Sequence, residues 1–190
     1  GTQAMSDGVQ QMSDDQARDM LSGLALRRPR SMQSGVYLTQ TGVVLTANAG
    51  LGSCARLTLG LNINTQALFS DDTLGIAVLA PQSLLAPRAI ATWQLNPPRI
   101  RDEIATAGFS WGDALQSASL TFGTLQDLRG LKGQEGLRRL SLLALPGDTG
   151  GPVLDAQGRV LGILMPRTND PVRLLPDDVQ FALAAPQILD

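Results

Sequence analysis

Residues 146–154 have the composition of a loop that could perform chemistry. They read PGDTGGPVL, and after a short gap the chain continues as GRVLGI over residues 158–163. Closely spaced glycines allow successive backbone N–H groups to point to one side, which is one way to bind an anion. Thr149 places a hydroxyl in the turn, and a hydroxyl becomes a nucleophile only beside a general base. The segment predicts a tight turn, then a strand that begins at Pro152, a second turn and a second apolar strand.

The sequence offers no ordinary base for that hydroxyl. Its 190 residues contain no histidine, so the commonest general base, zinc ligand and pH switch are all missing. Cys54 is the only cysteine, which excludes an intramolecular disulfide and a cysteine-based metal cluster. We interpret Cys54 as a small buried hydrophobe, since no histidine could activate its thiol. No metal and no cofactor are predicted, because the sequence carries no ligand cluster and no nucleotide-binding glycine pattern.

Composition narrows the range of partners. The net charge is −2 and aromatic residues make up 4% of the chain, which argues against nucleic-acid binding by phosphate contacts or base stacking. No apolar run reaches the ~18 residues that a membrane span requires. The opening GTQAMSDGVQ lacks the basic and apolar regions of a signal peptide.

Short apolar runs separated by turn residues predict antiparallel β-structure from residue 31 onward. In the first half, strands are predicted over residues 34–39, 42–47, 54–59, 66–70 and 75–80. In the second half, they are predicted over residues 103–109, 118–125, 138–144, 151–154, 160–166 and 179–183. The proline-marked stretch between Pro81 and Pro98 is predicted to be a linker. Two such sets with one linker favour a pair of β-barrels or a sandwich.

Helices are predicted only at the ends. Residues 1–12 read as a polar arm, and Ser13 opens a helix with a capping-box pattern that ends near Arg27, before Pro29. The apolar face of this helix, Met20, Leu21, Leu24 and Leu26, could dock on the domain behind it, or the helix could lead in from an upstream domain. Residues 186–190 resemble the first turn of a C-terminal helix.

The loop and its surroundings resemble the trypsin-like serine proteases, in particular the bacterial HtrA-type branch. Residues 147–152, Gly-Asp-Thr-Gly-Gly-Pro, resemble the family's Gly-Asp-Ser-Gly-Gly-Pro. Residues 45–49, Leu-Thr-Ala-Asn-Ala, resemble its Leu-Thr-x-x-His, and residues 75–79, Gly-Ile-Ala-Val-Leu, resemble its Asp-Leu-Ala-Val-Leu. The resemblance covers about residues 31–190. It implies an all-β fold of two six-stranded antiparallel barrels, one over residues 31–98 and the other over 99–190, with the arm and helix in residues 1–30.

The same resemblance implies that the catalytic triad is degenerate. The histidine position falls on Ala49, or on Asn48 if the alignment shifts by one residue. The aspartate position falls on Gly75 and the serine position on Thr149. The oxyanion-hole positions fall on Gly147 and Thr149, with Asp148 between them. Neighbours such as Leu51 or Leu74 could fill the space that the small residues leave.

Four other residues carry an amine or a carboxylate that could act as a substitute base. Lys132 lies in the polar loop over residues 130–136, where a solvated side chain is expected. Asp148 adjoins Thr149, but in this fold that carboxylate pairs internally. Asp71 and Asp72 lie near the aspartate position, but a carboxylate there needs a histidine to act through.

The resulting prediction is a non-catalytic protease homologue that binds an extended peptide or protein in the groove between the barrels, or that regulates a larger protein. One alternative is a weak hydrolase that uses Thr149. Another is a purely structural domain whose groove is filled by its own side chains. The family resemblance also implies the bacterial periplasm or cell envelope as the location.

Overall fold

The computed structural model describes residues 31–54, 56–60, 63–115, 117–167 and 173–190. The arm and helix predicted over residues 1–30 lie outside the described residues. Within the described ranges no helix is both long enough and apolar enough to cross a membrane.

The first half is an antiparallel sheet that curls into a half-barrel. Its strands are β1 (Val36–Tyr37), β2 (Val44–Ala47), β3 (Thr58–Leu59), β4 (Ile63–Asp71) and β5 (Ile76–Pro81), paired in the order β1-β2-β5-β4-β3. The described residues therefore form five strands here, as many as the apolar runs predicted, rather than the closed six-stranded barrel that the resemblance implied. The prediction over residues 54–59 shortens to Thr58–Leu59 because a 3₁₀ turn at Leu51–Ser53 precedes it. Cys54 follows that turn half-buried, not buried as predicted.

The second half is a closed six-stranded barrel. Its strands are β6 (Glu103–Gly108), β7 (Ser119–Asp127), β8 (Leu137–Ser141), β9 (Pro152–Leu154), β10 (Val160–Leu164) and β11 (Val179–Ala184), closed in the order β10-β11-β8-β7-β6-β9. A short helix, α1 (Ala185–Leu189), follows β11, as the sequence predicted. This architecture confirms the all-β, trypsin-like double-barrel fold, with few helices among the described residues.

One core cluster joins the two halves. Leu45 and Ile76 of the first sheet pack with Ile163 and Leu183 of the barrel. A second cluster lies inside the barrel and includes Leu125. Shared burial of apolar side chains fixes the sheet against the barrel and so positions the loops between them.

The predicted linker between Pro81 and Pro98 makes contacts with the second half. Trp93 forms a parallel bridge with Val160 at the start of β10. The Gln94 N–H donates to the Val160 carbonyl at 2.9 Å, and the Val160 N–H donates to the Thr92 carbonyl at 2.6 Å. The connection is therefore packed along the barrel wall.

Candidate functional site

The loop that carries Thr149 folds as a single 3₁₀ turn. Pro146–Asp148 form the turn, and Thr149 follows with φ −52° and ψ 132°. The Asp148 N–H donates to the Leu145 carbonyl at 2.9 Å, and the Thr149 N–H donates to the Pro146 carbonyl at 3.2 Å. An N–H that is bonded within its own turn does not point at a ligand. One of the two predicted oxyanion-hole donors is therefore engaged internally in this conformation.

Glycines allow this loop to lie directly against the first half. Gly150 has φ +85°, and a β-carbon there would overlap Thr46 Oγ1 and the Ser34 carbonyl. A β-carbon on Gly147 would overlap the Phe109 carbonyl. Only glycine fits these two positions without moving the backbone of a neighbour. The contacts place Gly150, the residue after Thr149, against Thr46 and Ala47 at the end of β2.

The buried side chain of Asp148 holds the Thr149 loop in place. Its side chain is fully buried, Oδ1 accepts from Ser110 Oγ at 2.6 Å and Oδ2 accepts from the Leu145 N–H at 2.9 Å. Both carboxylate oxygens therefore have partners within the loop region. The sequence-based expectation that this carboxylate pairs internally agrees with these contacts.

Ser34 links the two halves at the loop, a role that the sequence alone does not indicate. Its hydroxyl donates to the Gly147 carbonyl at 2.7 Å and accepts from the Phe109 N–H at 2.8 Å. Its backbone N–H donates to the Thr149 carbonyl at 2.8 Å. The only local signal is a serine before glycine at the start of a strand, and its partners are 75 and 113 residues away.

The predicted histidine position is on the surface. Ala49 is exposed, and its neighbour Asn48 is half-buried at the end of β2. The Asn48 N–H donates to the Gly75 carbonyl at 2.9 Å, and its side-chain amide donates to Asp72 Oδ1 at 2.8 Å. The structure thus brings residues 48 and 75 together, while neither Ala49 nor Gly75 carries a side-chain group that could move a proton.

Met165 occupies the place beside Gly75. Gly75 has φ +76°, and a β-carbon on it would lie 2.8 Å from Met165 Cε. Leu51 and Leu74 were the predicted fillers, and Leu74 does pack against the core shared by both halves. Met165 was missed because it follows β10, far along the chain from Gly75. An unbranched thioether side chain is well suited to fill such an irregular gap.

The remaining candidate bases are directed elsewhere. Asp71 Oδ1 accepts from the backbone N–H groups of Thr73 and Leu74, and Asp72 is exposed and bonded to Asn48. Lys132 is exposed in the loop after β7. The nine-residue β7 separates that loop from Ser119, which lies beside the Thr149 loop. At the usual rise of a strand, this is roughly 25 Å.

Comparison with known proteins identifies the family to which the chain belongs. The family model described as the trypsin-like peptidase domain matches residues 33–163. The chain belongs to this family. The match spans both halves and includes Ala49, Gly75 and Thr149, although it ends before β11.

Two solved structures share the fold. A serine endoprotease from Yersinia pestis superposes with a TM-score of 0.67 at 18% identity, over 87% of this chain and 57% of that one. Rv3671c from M. tuberculosis H37Rv, an inactive form in which serine is mutated to alanine, gives a TM-score of 0.65 at 19% identity, over 83% of this chain and 78% of that one.

A sequence relative is longer than this chain. The uncharacterized protein y4bJ of Sinorhizobium fredii (strain NBRC 101917 / NGR234) is 24% identical over 163 residues, which cover 80% of this chain and 25% of the relative. The chain therefore spans about a quarter of that protein's length.

Proposed function

We propose that this trypsin-like domain is not an enzyme and that it holds an extended peptide or protein segment between its two halves. The observation that carries the proposal is the combination at the three triad positions. Thr149 has a hydroxyl, but Ala49 and Gly75 supply no base and no carboxylate. Loss of the nucleophile or the histidine from such a triad lowers turnover by about 10⁶-fold.

The conformation of the loop supports the same conclusion. The Thr149 N–H bonds to the Pro146 carbonyl instead of facing the groove, and stabilisation of an oxyanion requires donors aimed at the developing charge. Met165 at Gly75 fills the space where a carboxylate would have to stand. A return to catalysis would therefore need changes in packing as well as in the three residues.

The groove that remains is suited to an added strand. Ala49 is small and exposed, so it leaves room for a bound segment, and an extended peptide can bind through backbone hydrogen bonds without any catalytic group. The Yersinia relative is a serine endoprotease, which by analogy supports a peptide as the occupant. We further propose that the domain is part of a larger protein of the bacterial periplasm or cell envelope. There it would regulate that protein or recruit a partner to it.

A weak hydrolase that uses Thr149 is the alternative. The hydroxyl stands at the nucleophile position, and a substrate-supplied base would be needed to activate it. A reactive phosphonate probe distinguishes the two functions, because only a hydrolase gives labelling that depends on Thr149.

A peptide library displayed on phage tests binding in the groove. Ala49→Trp adds a large side chain at an exposed position two residues after Ala47, which lies against Gly150 of the Thr149 loop. Ala156→Trp makes the same change at an exposed position on the β9–β10 turn. Ala49→Trp should weaken binding of selected peptides at least tenfold, because it narrows the groove, while Ala156→Trp should leave binding unchanged. Equal binding by both variants, or failure to select any peptide, would contradict the proposal.

A further inference from the structure

The first sheet has one long strand edge that no described strand covers. On the outer side of β4, β3 pairs only as far as Asn64, and one further bond joins the Thr65 N–H to the Leu57 carbonyl at 3.0 Å. Within the described ranges, residues 66–71 pair on the β5 side alone. We call residues 66–71 the open β4 edge. Because an antiparallel strand directs its N–H and C=O groups alternately to its two sides, this edge can accept a further strand.

The remaining edges of the described sheets offer less. The second half closes its six strands into a barrel, which has no edge. In the first sheet, the edge strand β1 is bonded by the connection that follows β5, since the Ala91 N–H donates to the Tyr37 carbonyl at 2.8 Å. The other outermost strand, β3, is two residues long. The open β4 edge is therefore the place where an added strand gains most.

The open β4 edge is also apolar and exposed. Residues 66–70 read QALFS, and all five are exposed, with 59% for Leu68 and 52% for Phe69. Edge strands are often protected from pairing by a lysine or a proline, and residues 66–70 contain neither. The register with β5 shifts between Ala67 and Phe69, and this bulge leaves Leu68 without a partner on β5. Leu68 is therefore positioned to pack against an added strand.

A second copy of the same strand matches this edge. Two copies of residues 66–71 can pair antiparallel about a two-fold axis between Leu68 and Phe69, which makes the contact isologous. In that register Leu68 lies opposite Phe69 of the other copy, and such aromatic and aliphatic cross-strand pairs are stabilising. Asp71 then lies opposite Gln66, so no like charges face each other along the pair.

The charges beyond the two ends of the pair are complementary. At one end, Arg56 Nε donates to Asn64 Oδ1 at 2.6 Å, which holds the guanidinium beside the start of the open β4 edge. At the other end, Asp72 is exposed. The two-fold axis brings Asp72 of each copy to the Arg56 end of the other, so the opposite charges meet twice. An extended peptide of unrelated sequence has no such match, which favours a second copy as the occupant.

We propose that two copies of this chain associate through the open β4 edge, as an antiparallel pair of strands centred on Leu68 and Phe69. The pair joins two five-stranded sheets into one continuous sheet. The contact is small, so its dissociation constant is expected to be about micromolar. The inference does not depend on peptide binding in the groove, because it uses backbone groups of a different strand edge.

Sedimentation equilibrium of the 190-residue chain tests the association. With rising concentration, the mass of the native chain should increase from 20.1 kDa towards twice that value. Leu68→Lys should weaken the dimer at least tenfold, because it places like charges near the two-fold axis. The matched control is Leu84→Lys, which makes the same change at a leucine that is 86% exposed in the connection after β5. This control should leave the dissociation constant unchanged.

Charge reversal tests the ends of the pair. Asp72→Arg should weaken the dimer, because it faces Arg56 of the other copy, and adding Arg56→Asp to the same chain should restore it. Restoration by a second reversal is not expected from a change in folding alone. Disulfide formation gives an independent measurement in a Cys54→Ser background: oxidation should link two copies of Leu68→Cys and should not link two copies of Leu84→Cys.

Amide hydrogen exchange distinguishes the other possible occupants. Exchange at residues 66–70 should slow as the concentration rises into the range where dimers form. Protection that does not depend on concentration would mean that another segment of the same chain covers the edge, and protection that appears only with an added peptide would mean that a foreign strand does. Either result would overturn the inference. So would a chain that stays at 20.1 kDa, or a dimer that Leu68→Lys does not weaken more than Leu84→Lys.

Discussion

At the scale of single residues, Gly75 illustrates how the site differs from an ordinary turn. Its φ of +76° is unfavourable for any side chain, and a β-carbon there would lie 2.8 Å from Met165 Cε. Gly158 has nearly the same φ, +77°, but nothing lies within 4 Å of a β-carbon there. A side chain added at Gly158 therefore meets only backbone strain, whereas one added at Gly75 meets both backbone strain and steric overlap.

Gly75→Ala should destabilise the protein more than Gly158→Ala. The shared cost of the left-handed conformation is about 1–2 kcal/mol, and crowding against Met165 should add about 1–3 kcal/mol at Gly75 only. Urea unfolding of both variants measures the difference in the free energy of unfolding. Met165→Ala should recover much of the extra loss in a double-mutant cycle. Equal destabilisation by the two glycine substitutions would show that Met165 does not fill this space.

At the scale of elements, the β9–β10 hairpin turn is held by one carboxylate. Asp155 Oδ1 accepts from the Gln157 and Arg159 N–H groups, both at 2.9 Å, and Oδ2 pairs with the Arg159 guanidinium at 3.0 Å. Burial by itself raises the pKa of Asp155, but the N–H bonds and the arginine outweigh it and hold the pKa below its usual value. The turn thus positions β9, which follows the Thr149 loop directly.

Asp155→Asn should weaken the fold in a pH-dependent way. Because the pKa is lowered on folding, the carboxylate stabilises the native state fully above the unfolded pKa of about 3.9, and this stabilisation is lost as the pH falls through the lower folded value. The substitution keeps an acceptor for the two N–H groups and removes the charge, so the loss at neutral pH should be about 1 kcal/mol. Unfolding measured from pH 7 downward should show the two proteins converging below about pH 3.9. A constant difference across that range would contradict the assignment.

At the scale of the whole molecule, the shared core predicts that both halves unfold together. Leu45 is fully buried between the first sheet and the barrel, against Ile163 and Leu183. Leu45→Ala should lower the free energy of unfolding by about 2–5 kcal/mol. Calorimetry should give one transition, with equal calorimetric and van't Hoff enthalpies, in both the native protein and the variant. Two resolved transitions, with only one of them shifted, would show that the halves are independent.

The fold was predictable because turns and apolar runs are local signals. The strands from Glu103 onward, the closed barrel and the helix after β11 follow from them and from the resemblance of residues 147–152. The first sheet was harder, since β1 and β3 contain two residues each and leave almost no periodic pattern.

The site was predictable only in part. Asp148 and the glycines around Thr149 lie in one motif, so their arrangement could be inferred locally. Ser34 and Met165 reach the site from distant segments, and single-sequence periodicity carries no information about such contacts. The internal bond of the Thr149 N–H is likewise a matter of backbone conformation rather than residue type.

Labelling with a fluorophosphonate probe tests the central claim most directly. The native chain, Thr149→Ala and Thr149→Ser would be incubated with the probe and, in parallel, with casein. Because no base stands at Ala49, all three should give the same background labelling and no cleavage, including the variant that restores the serine. Labelling or cleavage by the native chain that disappears in Thr149→Ala would contradict the account and would mean that Thr149 is a working nucleophile.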